Sequence, residues 1–500
     1  MKRRSRAFVV GTVATLVTVL AGTAASAAPA PGAPGLGDSY YPLDGNGGYD
    51  VSHYDIRLSY QPATDLLSGT TTILARTTQD LSRFNLDFLL EVSSVRVNNQ
   101  PATFATNAGE LTVKPKKALK KNTELTVVVR YSDNPEPYRL YGFPGWTKTP
   151  TGALAVNQPQ IAPWWYPSND HPRDKSTFDV SIAAPEGVEA LSNGVLVSQQ
   201  QTVAGMVRWN WRSVRPQAPY LTFLAIGQYE IRESTAPNGQ PVINAYGDDL
   251  GASGPAARAS VERTPEVVEV LEETFGRYPY EAQGGIVDTS LGFALETQTR
   301  PVYDVGFFQA GTNTSVVAHE MAHQWFGDSV SVHDWHEIWL NEGFATYAEY
   351  LWSEYQGEGT PAEIAQFTYD SIPADDEFWQ VLPGDPGAEN QFHDAVYDRG
   401  AMTVQALRTA MGDRAFFRLL KTWPKQHKDG TATTTQLVAL AEKLAGKQLD
   451  SLFETWLYTA GKPAVGPNGA SVAKTGAKTV AKPKSVDRIE RTHDLLAATG

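Results

Sequence analysis

Along this 500-residue chain the hydrophobic period changes from two residues to that of a helix, and this change constrains the fold most. In Tyr54-Asp55-Ile56-Arg57-Leu58-Ser59-Tyr60 apolar and polar side chains alternate, as a half-buried strand requires. Leu125 to Tyr131, Phe178 to Ile182 and Val207 to Trp211 repeat the pattern. Turn signals such as Asn98-Asn99, Pro185-Glu186-Gly187 and Asn193-Gly194 separate these runs. Residues 49–232 therefore read as an all-β domain of two sheets. From about Pro265 the apolar residues recur at helical spacing, over Glu266 to Thr274, 314–326, 337–355, 399–411 and 435–445. Residues 233–465 read as a mainly helical second domain. The expected class is α+β and multidomain, since a chain of this length exceeds one ordinary core.

The flanks differ. Lys2, Arg3, Arg4 and Arg6 precede a short apolar stretch from Ala7 to about Gly22, and Ala25-Ser26-Ala27 offers a small-residue cleavage site. Residues 1–27 read as a secretion signal, cut near Ala27, and the expected location is extracellular. No later segment is long and apolar enough to span a bilayer. Residues 28–48, rich in Ala, Pro and Gly, read as a flexible leader. Residues 466–500, with Lys474, Lys478, Lys482 and Lys484 among Ala, Thr and Gly, read as a disordered cationic tail.

Without the four cations of the signal, the formal charge of −13 becomes −17. Nucleic acid is disfavoured as a partner, because phosphate binding needs a basic footprint. The chain has no cysteine, so any metal site must be built from His, Asp and Glu. A monomer is the expected state.

Such a site is suggested by His319-Glu320-Met321-Ala322-His323. On a helix the two imidazoles fall one turn apart on one face, where two ligands of a single metal ion belong. Asn313 is a good N-cap and Gly327 a good terminator. A catalytic zinc takes three protein ligands and leaves one position open. The metzincin continuation fails, because Phe326 and Ser329 stand where it wants Gly and His. His333 and His336 are close in sequence but of unknown orientation. Eighteen residues separate His323 from Glu342, within Asn341-Glu342-Gly343-Phe344-Ala345, and an antiparallel second helix could return its carboxylate to the imidazoles.

At this point the sequence resembles the zinc metallopeptidases of the aminopeptidase N type, which include leukotriene hydrolase. Their signature is His-Glu-x-x-His, eighteen residues, then Glu in an Asn-Glu-Gly-Phe-Ala-like segment. The resemblance spans roughly 46–465 and includes Trp165 to Pro172 with Asp174-Lys175, similar to a β-domain motif of the family. It implies a thermolysin-like catalytic domain after the β domain and one zinc ion per chain, held by His319, His323 and Glu342. It implies Glu320 as general base and Tyr397, within Val396-Tyr397-Asp398-Arg399-Gly400, as the oxyanion donor.

For substrate, the resemblance implies peptides with a free amino terminus. Phe293-Ala294-Leu295-Glu296-Thr297 occupies the place of the family's Gly-x-Met-Glu-Asn, which retains Glu296 for the ammonium and puts Ala294 beside the substrate. Phe293 and Thr297 depart from the pattern. Gln158, in Asn157-Gln158-Pro159-Gln160, is the expected second amine contact, with Gln160 as an alternative. Thr346 and Asp328 are candidates to orient the imidazoles. Many members carry a large helical carboxy-terminal domain, for which this chain ends too early, so a more open cleft is expected. A thermolysin-like endopeptidase, an epoxide hydrolase and a non-catalytic peptide-binding surface protein are the competing readings.

Overall fold

The computed structural model of the protein describes residues 28–202, 205–470 and 481–497, so the expected signal at 1–27 lies outside the described residues. The first domain is built on an eight-stranded sheet. Its strands are β1 (Tyr49–Gln61), β2 (Leu66–Thr77), β3 (Val92–Val97), β4 (Gln100–Pro101), β5 (Glu124–Asp133), β6 (Ser176–Pro185), β7 (Val195–Gln201) and β8 (Met206–Gln217). They lie in the order β7-β8-β6-β1-β2-β5-β3-β4. The β6–β1 pair is parallel and its neighbours are antiparallel. On β1, Tyr54, Ile56, Leu58 and Tyr60 are buried as the alternation requires. A bulge between Val51 and His53 re-phases the strand, so that Tyr49 and Val51 are buried as well. Two four-stranded sheets complete the domain, one containing Leu81–Asp87 and Glu110–Lys114, the other Ala153–Ala155 and Leu224–Gly227.

A five-stranded sheet then joins the two domains. Its strands β9 (Tyr229–Thr235), β10 (Pro241–Gly247), β11 (Gln283–Asp288), β12 (Ala294–Leu295) and β13 (Val302–Asp304) lie in the order β9-β10-β11-β13-β12. β9 straddles the domain boundary expected at 232. Period-two alternation lets the sheet serve two cores at once. Ile243, Ala245, Ile286, Leu295 and Val302 pack with the β domain, whereas Tyr246, Val287, Ala294 and Tyr303 pack with the helices.

The helices of the second domain include α1 (Thr264–Phe275), α2 (Thr314–His323), α3 (Trp339–Gln356), α4 (Gly400–Met411) and α5 (Thr434–Ala445). They match the segments of helical spacing. α3 and α4 cross almost backbone to backbone at Gly343 and Gly400. A Cβ on Gly343 would lie 2.9 Å from the Gly400 carbonyl carbon, and one on Gly400 would lie 2.9 Å from the Gly343 Cα. Only glycine fits at either place. The crossing brings the start of α4, and the turn before it, beside the first turn of α3.

The expected leader needs correction, and so does the described end of the expected tail; residues 471–480 and 498–500 of that tail lie outside the described residues. The leader is folded into the molecule: Ala30–Pro31 pairs parallel to Leu81–Asp87, and Asp38, Asp44 and Asn46 are buried. Asp38 accepts from the Tyr40 and Tyr41 amides at 2.9 and 3.1 Å, from the Trp335 amide at 2.9 Å, and meets His171 Nε2 at 3.1 Å. The leader thus ties the β domain to the helical domain. Its Pro and Gly content hides this, because the partners are distant in sequence. Within the expected tail, Val486–Ala497 is a helix, α6, whose Val486, Ile489, Thr492, His493 and Leu496 are buried in one stripe. Lysine-rich composition before it masked that stripe.

The motif around Trp165 supplies further ties. Asp170 N donates to Asp87 at 2.7 Å, Asp174 accepts from Val51 N at 3.1 Å, and Lys175 Nζ donates to the carbonyls of Asp328 and Ser329 at 2.7 and 3.1 Å. Burial pushes Asp44 up to about 7 and Glu110 up to about 8, and raises Asp87 and Asp170 as well. Such a carboxyl keeps in the fold a proton that the unfolded chain releases near pH 4. Stability is therefore lost as pH rises from about 4 through about 7. Asp44→Asn keeps partners for Gln160 Nε2 and the Tyr141 hydroxyl, which now contact the carboxylate at 2.6 and 2.9 Å. This variant is expected to raise Tm at pH 8 by about 3 °C, on the order of 1 kcal/mol, and to change it little at pH 4.5. Thermal scans across pH check this; an equal effect at both values would contradict it.

Candidate metal centre

α2 carries the central motif, and every residue from Thr314 to His323 is buried. Asn313 caps it as expected, its side chain accepting from the amides of Ser315 and Val316 at 3.1 and 3.3 Å. His319 and His323 present their Nε2 atoms to one carboxylate oxygen, Glu342 Oε2, at 3.3 Å each. Glu342 stands in the first turn of α3, so the second helix returns the third ligand as the spacing suggested. Gly327 borders this cluster: with φ of 133°, it leaves room where a Cβ would lie 3.3 Å from His323 Nδ1 and from the Asn341 amide nitrogen.

Two imidazole nitrogens aimed at one carboxylate fit a divalent metal only if they are unprotonated. Here the opposite ring nitrogens have acceptors of their own. His319 Nδ1 meets Glu349 Oε1 at 2.9 Å, and His323 Nδ1 meets the Phe326 carbonyl at 3.0 Å. With an ion bound, these acceptors would hold the ring protons on Nδ1 and turn both Nε2 lone pairs to the ion. Against burial, the carboxylates around His319 and His323 raise both imidazoles, and the positive charge of these rings holds the buried Glu342 carboxyl ionised; a metal ion would bind in place of their Nε2 protons. The donor set of two neutral imidazoles and one carboxylate is that of a catalytic zinc.

The expected orienting groups are elsewhere. Among the described residues, the Thr346 hydroxyl and both carboxylate oxygens of Asp328 are buried without a hydrogen-bond partner. The group that holds His319 is Glu349, seven residues and two turns beyond Glu342 on the same helix, a spacing that could have singled it out. His333 and His336 are not part of the cluster.

Around the ligands stand the remaining candidates. Glu320 is buried, with Oε2 unpartnered, and burial pushes its carboxyl up to about 8 against the opposing pull of His319 and His323. A dication beside it acts in the same sense as those imidazoles and favours the carboxylate. Tyr397 lies in a wide helical turn with i→i+5 bonding, Ala395–Arg399, directly before α4. Its ring stacks at 6.0 Å from that of His319. Burial and the nearby Glu342 and Glu320 raise its pKa, so the hydroxyl keeps its proton and can donate.

Glu296 follows the edge strand β12, which also carries buried Ala294. Carboxylate and imidazole atoms of Glu296, Glu320 and His323 lie within 4.8 Å of one another. Gln158 Nε2 donates to Glu296 Oε1 at 3.2 Å and the Tyr220 hydroxyl donates to the same oxygen at 3.1 Å. Gln160 instead donates to Asp44, so of the two glutamines it is Gln158 that faces the centre. Sequence reasoning missed Tyr220, which sits among ordinary apolar residues and carries no motif.

Both domains of the chain match known protein families. The Peptidase M1 N-terminal domain matches residues 51–221 and the Peptidase family M1 domain matches 304–456. The chain is 27% identical to the aminopeptidase N of Lactococcus lactis subsp. lactis over 60% of this chain and 38% of that protein. It is 25% identical to the aminopeptidase N of Streptomyces lividans, over 59% of this chain and 36% of that protein. The chain thus spans well under half the length of these curated relatives. Solved structures match it along their whole length. An M1 zinc metallopeptidase from Deinococcus radiodurans aligns with a TM-score of 0.76 at 29% identity, covering 88% of this chain and 99% of that one. A mutant of a two-domain M1 zinc metallopeptidase bound to L-arginine aligns with a TM-score of 0.76 at 29% identity, over 88% and 100%.

Proposed function

The chain belongs to the M1 family of peptidases through both of its domains, and from that premise we propose that it is a secreted zinc aminopeptidase. The observation that carries the reading is Glu296, a buried carboxylate with two neutral donors, within 4.8 Å of Glu320 and His323. A buried carboxylate is costly unless a cation pairs with it. The ammonium of a peptide's first residue is separated from its first carbonyl carbon by a single Cα. An acid anchor this close to the metal ligands therefore presents the first peptide bond and no other. An endopeptidase has no use for such an anchor. The amino-terminal charge pattern before Ala27 supports export.

His319, His323 and Glu342 would hold the zinc. When bound, the ion supplies a Lewis acid that polarises the scissile carbonyl and makes water acidic enough to ionise near neutral pH. Glu320, with its free Oε2 facing the same space, takes a proton from the attacking water and later delivers it to the leaving amine. The Tyr397 hydroxyl donates to the oxygen that gains negative charge in the tetrahedral state. Glu296 and Gln158 fix the amino terminus, which removes the entropy of alignment from the chemical step.

Mass spectrometry of a peptide digest checks the reaction. Single residues are expected to leave one after another from the amino terminus, to stop on addition of a zinc chelator, and to resume when zinc is restored. Products cut at internal bonds would point to the endopeptidase instead.

A further inference from the structure

α6 reaches the metal centre from behind. Its one buried histidine, His493, meets Glu349 Oε1 through Nε2 at 2.8 Å and Asp398 Oδ1 through Nδ1 at 3.0 Å. Glu349 Oε1 is the same oxygen that receives His319 Nδ1 at 2.9 Å. Asp398 is the residue after Tyr397, in the same wide turn. The His493 ring lies 6.3 Å from that of His319 and 6.1 Å from that of Tyr397. An unbroken series of charge-assisted bonds thus runs from the turn that carries Tyr397, through His493, to the ligand His319. With carboxylates at both ring nitrogens, His493 donates on both sides.

The helix is held in place by contacts independent of this series. Asn313, the cap of α2, donates through Nδ2 to Thr492 Oγ1 at 2.9 Å. Arg488 donates to Ser315 Oγ at 3.0 Å and pairs with Glu358, and Ser353 Oγ meets Ser485 Oγ at 2.7 Å. Ile489 and Leu496 complete the apolar side of the contact.

We propose that His493 is a positioning residue for the reaction, delivered by α6, which sets the His319 imidazole through Glu349 and the Tyr397 turn through Asp398. This rests on the zinc peptidase reading. His493 touches neither substrate nor ion, and acts through its two carboxylates. Glu349 also needs it: bonded to His319 alone, this fully buried carboxylate would lack its cationic partner.

Two substitutions separate positioning from mere packing. In length, Gln mimics a donor at Nε2 and keeps the bond to Glu349, whereas Asn mimics Nδ1 and keeps only the bond to Asp398. Full-length wild type, His493→Gln and His493→Asn are compared by zinc affinity in chelator competition and by the visible spectrum of the cobalt-substituted protein. The expected result is a zinc Kd within about threefold of wild type for Gln and raised about tenfold or more for Asn, with a shifted cobalt spectrum in Asn only. Arg488→Ala, which loosens α6 without touching the series, is expected to lower Tm while leaving Kd and spectrum unchanged. Equal affinity in all folded variants, a reversed order of Gln and Asn, or an Arg488→Ala shift as large as that of Asn would overturn the proposal. Wild type that binds no zinc would overturn the zinc reading instead, so the two failures are distinct.

Discussion

Glu320→Gln is expected to lower kcat about 10³- to 10⁴-fold while one zinc remains bound per chain. Glutamine fills the same volume but cannot take a proton from water or return one to the leaving amine. The ligands His319, His323 and Glu342 do not depend on Glu320, whose Oε2 makes no hydrogen bond among the described residues. Metal content measured by atomic absorption on the purified variant, beside its steady-state kinetics, separates the two effects. A variant with zinc bound and activity within tenfold of wild type would remove Glu320 from the reaction.

The second large effect is expected at Glu296. Glu296→Gln should reduce kcat/KM for peptides with a free amino terminus about 10²-fold, most of it through KM, because a buried charge pair is replaced by a neutral contact. Gln158 and Tyr220 still reach the new side chain, so folding and zinc binding are expected to be unchanged. A kcat/KM within threefold of wild type would mean that the ammonium is held elsewhere.

Much of this site could be read from residue order, for a physical reason. Helical periodicity fixes where His319 and His323 point, and eighteen residues are enough to turn and bring Glu342 back on α3. The strands of the β domain were legible because one face is wet and the other dry. What could not be read are contacts between segments far apart in sequence. Asp38 and Asp44 lie in a stretch whose Pro and Gly suggest freedom, yet their partners are His171, Trp335, Gln160 and Tyr141. His493 follows a lysine-rich stretch and reaches Glu349, 144 residues earlier. Glu349 itself was within reach of helical reasoning, whereas Thr346, one turn past Glu342, leaves its hydroxyl without a partner.

The ligand geometry and the amine anchor together support the proposal that this centre hydrolyses the bond next to a free amino terminus. The direct measurement is kcat/KM for one peptide with a free and with an acetylated amino terminus, in the presence of zinc. The free peptide is expected to be preferred by about 10³-fold or more, and the preference to shrink in Glu296→Gln. Comparable rates on both peptides would contradict the account.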